Sequence, residues 1–460
     1  MTDAGAATRD LALVAARTLI ADAAARLARL DEARDATTAA YERSFRKHAS
    51  APGRALAPGQ LPSLLSGYDL VLVGDFATST EPTRLLARLV SELPRATLAV
   101  NFDPDAPAPD LPRGVRTART GLMRSAARHG TPVRCFERPG SGDLASRDDT
   151  AARELAGLAA SGGGPLLVLV GELRVCPAGL LARLERSLPR ARVAALYLDL
   201  EEPWMTALEH GTEPFAAVDL GKDRFCVVSQ SPLSKYLGAL AWSAGDEPIS
   251  VSRLEAAFAS YAGRIARTFN LPFAPASRPR LFQPGDTRFL LAAADHPLHP
   301  LSSADVEFLA GRIRSGESRF LPDQGLAYFG DVAQSHVAEE ASHWVRSLLG
   351  GPGYCHTTRE DAFFGIAVQE SAGFAGSRVI APARQMPTLP PPPSREGKPA
   401  RDSEELAHLV GYSVGNMLFD AFRRRRPAAA LVKDVFTADL VGPGAAKALY
   451  FRTLAALKEA

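Results

Sequence analysis

The chain has 460 residues, of which 46% are hydrophobic, enough for more than one ordinary globular core. Its 53 basic and 51 acidic residues leave a net charge of +2, which argues against a dedicated nucleic-acid binder. The four cysteines (Cys135, Cys176, Cys226 and Cys355) are widely spaced with no CxxC pair, so neither a disulfide framework nor a thiolate zinc site is expected, and Cys135 and Cys226 read as inert core thiols.

The chain opens with an Ala-, Leu- and Arg-rich stretch whose apolar spacing predicts one helical arm from residue 6 to about residue 47. Asp3, Arg9, Asp10 and Arg17 interrupt its apolar pattern, and there is no signal-peptide layout and no span of 18 uncharged apolar residues. The expectation is a cytoplasmic protein without membrane insertion. From about residue 68 to 230, apolar runs alternate with helical stretches. The runs are Leu70–Gly74, Thr97–Val100, Pro132–Phe136, Leu166–Gly171 and Val193–Leu198. The intervening helices are expected at Pro82–Glu92, Thr120–His129, Thr150–Ala160 and Pro177–Leu188. That alternation predicts an α/β three-layer domain with a mainly parallel sheet covered on both faces. Two runs around "GKD", Phe215–Leu220 and Arg224–Ser229, predict a hairpin at a sheet edge.

The remainder reads as a helical C-terminal half, with helices at Val251–Thr268, Ser303–Ser315 and Ala327–Leu349. A Pro-rich linker covers residues 386–402, and a helical segment runs from residue 403 to the end. The domain boundaries on this reading are 1–55, 56–245, 246–385, 386–402 and 403–460. The Arg423–Arg426 run reads as a solvated helix end, because no aromatic residues interleave with it. His296 and His299 read as a solvated loop. Ser229, Ser231 and Ser234 lack a GxSxG elbow, and the glycines of "SGGGP" precede a strand rather than follow one.

Ligands of open parallel sheets bind beyond the carboxyl ends of the strands. Two of the apolar runs end alike: Gly74-Asp75-Phe76-Ala77 and Gly171-Glu172-Leu173-Arg174. Asp75 and Glu172 would then share one rim, an arrangement suited to a cation or to proton transfer, although Gly followed by an acid is also a common strand exit. With "YERSFRKH", "SRFLPDQGLAYFGDVAQSHVAEEASHWVR" and "HLVGYSVGNMLFDAF", the chain resembles the ChaN-like proteins, relatives of the Tiki, TraB and erythromycin-esterase proteins. The first of these stretches looks like the N-terminal extension of some bacterial members. The resemblance implies an α/β domain, haem binding in some members and metal-dependent hydrolysis in distant ones. It also implies a GxxH motif after each of the two strands. Here Ala77 and Arg174 stand where the histidines would be, and Asn101 stands where the family carries a Glu. Ala offers no ligand and Arg stays protonated, so metal chemistry is not expected at these positions. Arg174 is expected to pair with Asp75 and Glu172, replacing the charge of a lost cation.

A second cluster lies in the helical half: His336, Glu339, Glu340 and His343. At 100° per residue they share one helix face. His336 and His343 are about 10.5 Å apart along the axis, too far to share one ion easily. Glu340 with His343, or His336 with Glu340, has usable spacing, and Asp361 or Glu370 could add carboxylates. Two readings stay open. One is a buried polar network that pairs with Arg346 or Arg319. The other is a divalent-metal site on His336, Glu340 and His343. The leading expectation for function is a degenerate, non-catalytic ChaN-like module that binds another protein or a small ligand. A metalloprotein or metal-dependent hydrolase and a haem protein are the alternatives.

Overall fold

A computed structural model describes residues 3–30, 35–49, 53–57, 59–104, 110–137, 143–210, 216–245, 251–351, 353, 357–386, 403–424 and 428–459. Cys355, nearly all of the Pro-rich stretch, and Arg425 and Arg426 lie outside these residues. The chain divides into two compact units: residues 10–249 with 285–288, and residues 1–9, 250–284 and 289–460. No helix among the described residues is long and apolar enough to cross a membrane.

The first unit is the expected α/β domain. Its strands are β1 Arg54–Ala55, β2 Leu70–Asp75, β3 Thr97–Val100, β4 Val133–Cys135, β5 Leu166–Gly171, β6 Val193–Leu198, β7 Ala216–Gly221 and β8 Arg224–Val228. They form one sheet in the order β1-β7-β8-β6-β2-β5-β3-β4, parallel from β8 to β4. The apolar runs are buried on both sides because helices cover both sheet faces. On one face Val71, Val73, Leu98, Leu167 and Leu196 pack with Leu86, Leu89 and Leu122 from the helices Glu81–Glu92 and Arg113–Arg128. On the other, Phe45 from Ala36–Ala49 meets Tyr197 edge-on at 5.8 Å. The hairpin forms as expected, with Lys222 and Asp223 both at positive φ, although the short β1 adds outside it.

The helical arm differs from its expectation. It is two helices, Asp3–Leu30 and Ala36–Ala49, and Asp35 caps the second by accepting from the Thr38 amide at 2.7 Å. Cys135 also differs: it lies at the exposed edge strand β4, whereas Cys226 is buried and its thiol is pushed up to about 12 by that burial.

The second unit is mainly helical. Gln334–Gly350, Arg359–Ile380 and Ser403–Arg424 pack side by side around a core that includes Phe258, Ile265, Trp344, Val368, Ala372, Val414 and Phe436. Trp344 stacks on Phe258 at 5.3 Å and meets Phe273 edge-on at 5.1 Å. The expected helix over 327–349 begins only at Gln334, because Leu326–Tyr328 is a strand instead. That strand, β11, lies between β9 (Arg280–Phe282) and β10 (Arg319–Leu321) in a small second sheet. The last segment is broken into Ser403–Arg424, Ala428–Thr437 and Ala445–Glu459.

Candidate functional site

At the rim of the large sheet, β2 pairs with β5 so that Asp75 stands opposite Gly171. Gly74 has a packing reason: a Cβ there would press within 3.2 Å of the Glu172 Cβ. Asp75 and Glu172 do share this rim, but Arg174 joins neither. Its buried guanidinium reaches the other way, to Asp148 at 2.5 Å and to Glu137. Tyr41 donates a further bond to Asp148 at 2.7 Å. The expectation of an Arg174 clamp on Asp75 is therefore corrected. Glu172–Val175 is a 3₁₀ turn with three residues per turn, so Glu172 and Arg174 point to different sides of it.

The rim acids take other cations. Arg119 donates to Asp75 at 3.1 Å and lies over the Phe102 ring, while Lys235 donates to Glu172 at 2.5 Å and lies over the Phe76 ring. Burial raises the Asp75 carboxyl above its ordinary value, and Arg119 opposes that rise. Asp199, at the end of β6, accepts from the Ser229 and Gln230 amides at 2.7 and 2.9 Å; burial still pushes its carboxyl up to about 6. Ala77 is exposed and Asn101 is half-buried. Each acid of the pair has a fixed cation, and among the described residues no imidazole joins them. These residues do not fit the metal that the resemblance implies at the two motifs. Ser229 donates to Asp199 and Ser231 caps the helix Pro232–Ser243, so neither is set up as a nucleophile.

The helical unit behaves differently. Glu339 and His343 stand one turn apart on Gln334–Gly350, and Glu370 faces them from Arg359–Ile380. One ligand atom from each lies within 4.8 Å of the other two. The helices approach closely enough because position 373 is Gly; a Cβ there would fall 2.7 Å from the His343 ring and 3.3 Å from the Glu339 Cγ. The His343 Nε2 stands 3.7 Å from the Glu370 Oε2. On Ser403–Arg424, His408 Nδ1 lies 3.0 Å from the Glu370 Oε1. Arg384 donates to the Glu339 Oε2 at 2.8 Å.

Three buried polar atoms here have no hydrogen-bond partner: Glu339 Oε1, Glu340 Oε2 and His408 Nε2. Such atoms cost free energy unless something outside the protein satisfies them. Glu339, Glu340, His343, Glu370, His408 and Tyr412 line a cavity of about 340 Å³ that β10 borders with Arg319. Burial, then the Glu339 and Glu370 carboxylates, push the Glu340 carboxyl well above the usual carboxylate range. Burial also opposes ionisation of Glu370, but His408 and His343 outweigh it and hold that carboxyl low. Burial likewise disfavours charge on His408, and Glu370 and Glu404 outweigh it, so its imidazole is raised.

Of the residues singled out by spacing, Glu339, His343 and Glu370 converge. Glu340 lines the same cavity without belonging to the triad. His336 also lines it, but its Nδ1 is bound to Asp331 at 2.6 Å. The Asp361 carboxylate is already engaged, accepting from the Thr357 and Thr358 hydroxyls and the Gly444 amide. The expected arginine partners also differ. Arg346 donates to the carbonyls of Phe436 and Ala438, and Arg319 donates to Glu404. Sequence reasoning passed over His408 and Arg384. Glu404-x-x-x-His408 repeats the spacing of Glu339-x-x-x-His343 and was a readable signal. His296 and His299 stay in an exposed loop, with rings 5.9 Å apart. Phe320, Leu321, Pro322 and Ile366 share the cavity walls with the charged side chains. No protein-family model, curated protein or solved structure matches the chain.

Proposed function

We propose that the helical unit is a metal-binding module that holds one divalent transition cation at Glu339, His343 and Glu370. The α/β unit is a non-catalytic, degenerate ChaN-like module that serves binding to another protein or a small ligand. The observation that carries the first part is the triad, with ligand atoms within 4.8 Å of one another and the Glu339 Oε1 left buried and unpartnered. Two carboxylates and one imidazole suit Zn²⁺, Mn²⁺ or Fe²⁺. The same donor set with a free side toward a cavity is the layout of a site that keeps an exchangeable position. The second part is supported by the rim, where Arg119 and Lys235 already neutralise the two acids.

Equilibrium dialysis of the purified chain against each of the three cations tests the reading. One bound equivalent is expected, lost in His343→Ala and kept in Lys235→Met, which touches only the rim. Failure of all three cations to bind stoichiometrically, or equal binding by His343→Ala, would remove the metal reading.

A further inference from the structure

We infer that His408 and Arg384, which are not ligands of the triad, are positioning residues that make Glu370 and Glu339 each offer a single oxygen to the cation. This rests on the cation reading above and deepens it. A carboxylate oxygen only accepts, so His408 Nδ1, 3.0 Å from the Glu370 Oε1, is the donor of that pair. Glu370 therefore has Oε1 engaged and Oε2 turned to His343. The 3.7 Å between Oε2 and the His343 Nε2 is too long for a hydrogen bond. It is close to the roughly 3.4 Å that two ligands keep when each sits about 2.1 Å from one tetrahedral ion.

Glu339 repeats the arrangement. Arg384 engages Oε2 at 2.8 Å, and Oε1 is left buried without a partner. Arg384 is itself fixed, by a bond to the Ser377 hydroxyl at 2.6 Å and by stacking on Phe374 and Tyr412 at 4.7 and 5.4 Å. His408 is brought within reach because Gly411 lets its helix close on Glu370; a Cβ there would stand 2.5 Å from the Glu370 Cβ.

The consequence is chemical. Two carboxylates held to one oxygen each, with one imidazole, give three protein ligands and leave a fourth position open to the cavity. The ligand class for that position is a water or a small oxygen donor. A carboxylate released from its outer partner can close on the ion with both oxygens and occupy that position itself. Outer partners of this kind typically change metal affinity 10–100-fold.

The test uses Co²⁺ as the probe on the full chain, with His408→Ala, His408→Asn and Arg384→Ala. The wild type is expected to bind one equivalent with the intense visible bands of a four-coordinate ion. His408→Ala and Arg384→Ala should bind 10–100-fold more weakly, still one equivalent, with weaker bands as the coordination number rises. Asn places an amide donor near the former Nδ1, so His408→Asn should recover most of the affinity and the spectrum; a role limited to helix packing would give neither the spectral change nor this rescue. Variants that bind Co²⁺ with wild-type affinity and spectrum overturn the inference while leaving the cation reading intact. A wild type that binds no Co²⁺, Zn²⁺, Mn²⁺ or Fe²⁺ removes both.

Discussion

The sheet rim and the helical cavity both gather buried acids beside fixed cationic partners, and they differ in what else joins them. At the rim, Asp75 has Arg119 and Glu172 has Lys235; away from it, Asp148 on the helix Leu144–Ser161 has Arg174. In the cavity, Glu339, Glu340 and Glu370 are packed together, and two of the three keep an oxygen with no partner. A carboxylate with one oxygen on a fixed cation still has the other to offer: Asp75 Oδ1 at the rim and Glu339 Oε1 in the cavity are both buried without a partner. A charge left over inside a cavity is costly unless a cation completes it. What joins the acids separates the two: a fixed cation for each at the rim, and in the cavity the His343 imidazole beside Glu339 and Glu370.

The largest effect should come from breaking the Asp148–Arg174 pair. Arg174→Met leaves Asp148 with a fully buried side chain and without its nearest cation, and removing one member of a buried pair costs about 3–5 kcal/mol. Tyr41 remains, and Arg183 stands 3.9 Å away, so the lower end of that range is expected. In a Trp344→Phe background both remaining tryptophans, Trp204 and Trp242, lie in the α/β unit, so urea unfolding followed by fluorescence reads it directly. An unchanged midpoint would show that Arg174 braces nothing.

Completing the cavity should have the next largest effect, in the stabilising direction. A cation at a hundred times its Kd contributes about 2.7 kcal/mol to the state that binds it. Amide exchange of the Gln334–Gly350 and Arg359–Ile380 helices should slow by up to about 100-fold on adding the bound cation, with β2 and β5 unchanged. Equal slowing in both units, or none, breaks the contrast drawn above.

How much of this was readable in advance depended on the length of each signal. β3, β5 and β6 match their apolar runs residue for residue, because three to six consecutive buried apolar positions form a pattern. β9, β10 and β11 have three residues each, too few to show a period, and the third was absorbed into the helix that follows it. The helix start after Asp35 was hidden because helix-forming residues stand on both sides of it in the sequence. At the site, the helical spacing points to His336, Glu340 and His343, of which only His343 belongs to the triad; Glu339 shares their helix face, and Glu370 is one of two carboxylates expected from the next helix. His408 and Arg384 come from elements distant in the chain, and only packing brings them together. Arg174 misled because nearness to Glu172 in sequence is not nearness in space when the turn between them is a 3₁₀ turn.

A smaller effect tests whether the cavity depends on helix approach. In Gly373→Ala the new methyl would fall 2.7 Å from the His343 ring, so the imidazole has to move. Overpacking of this kind costs about 1–3 kcal/mol. Cation stoichiometry should fall with stability. Gly311→Ala, on a helix with nothing within 4 Å of its added Cβ, should keep both. Wild-type binding by Gly373→Ala would place the cation elsewhere.

The smallest effect concerns His336, which lines the cavity but is committed to Asp331. The Asp331 hydrogen bond raises His336 above its ordinary value of 6.5, against the burial that would lower it; Glu339 adds to the rise and Arg384 opposes it. For Asp331, burial acts to raise the carboxyl and the His336 bond outweighs it, so the carboxyl is held below 3.8. A histidine raised in the folded state contributes stability that is complete below pH 6.5 and is lost as pH rises through its folded value. The depressed Asp331 contributes stability present above pH 3.8 and lost as pH falls through its own folded value. The pair therefore supports the fold between those limits. With side chains 41% and 48% exposed, solvent and salt screen it to below about 1 kcal/mol. NMR titration of the His336 ring should give a midpoint above 6.5 that drops in Asp331→Asn, and the variant should lose the shallow fall in stability above that pH. An identical midpoint in the variant would release His336 from Asp331 and return it to the candidates for the cavity's cation.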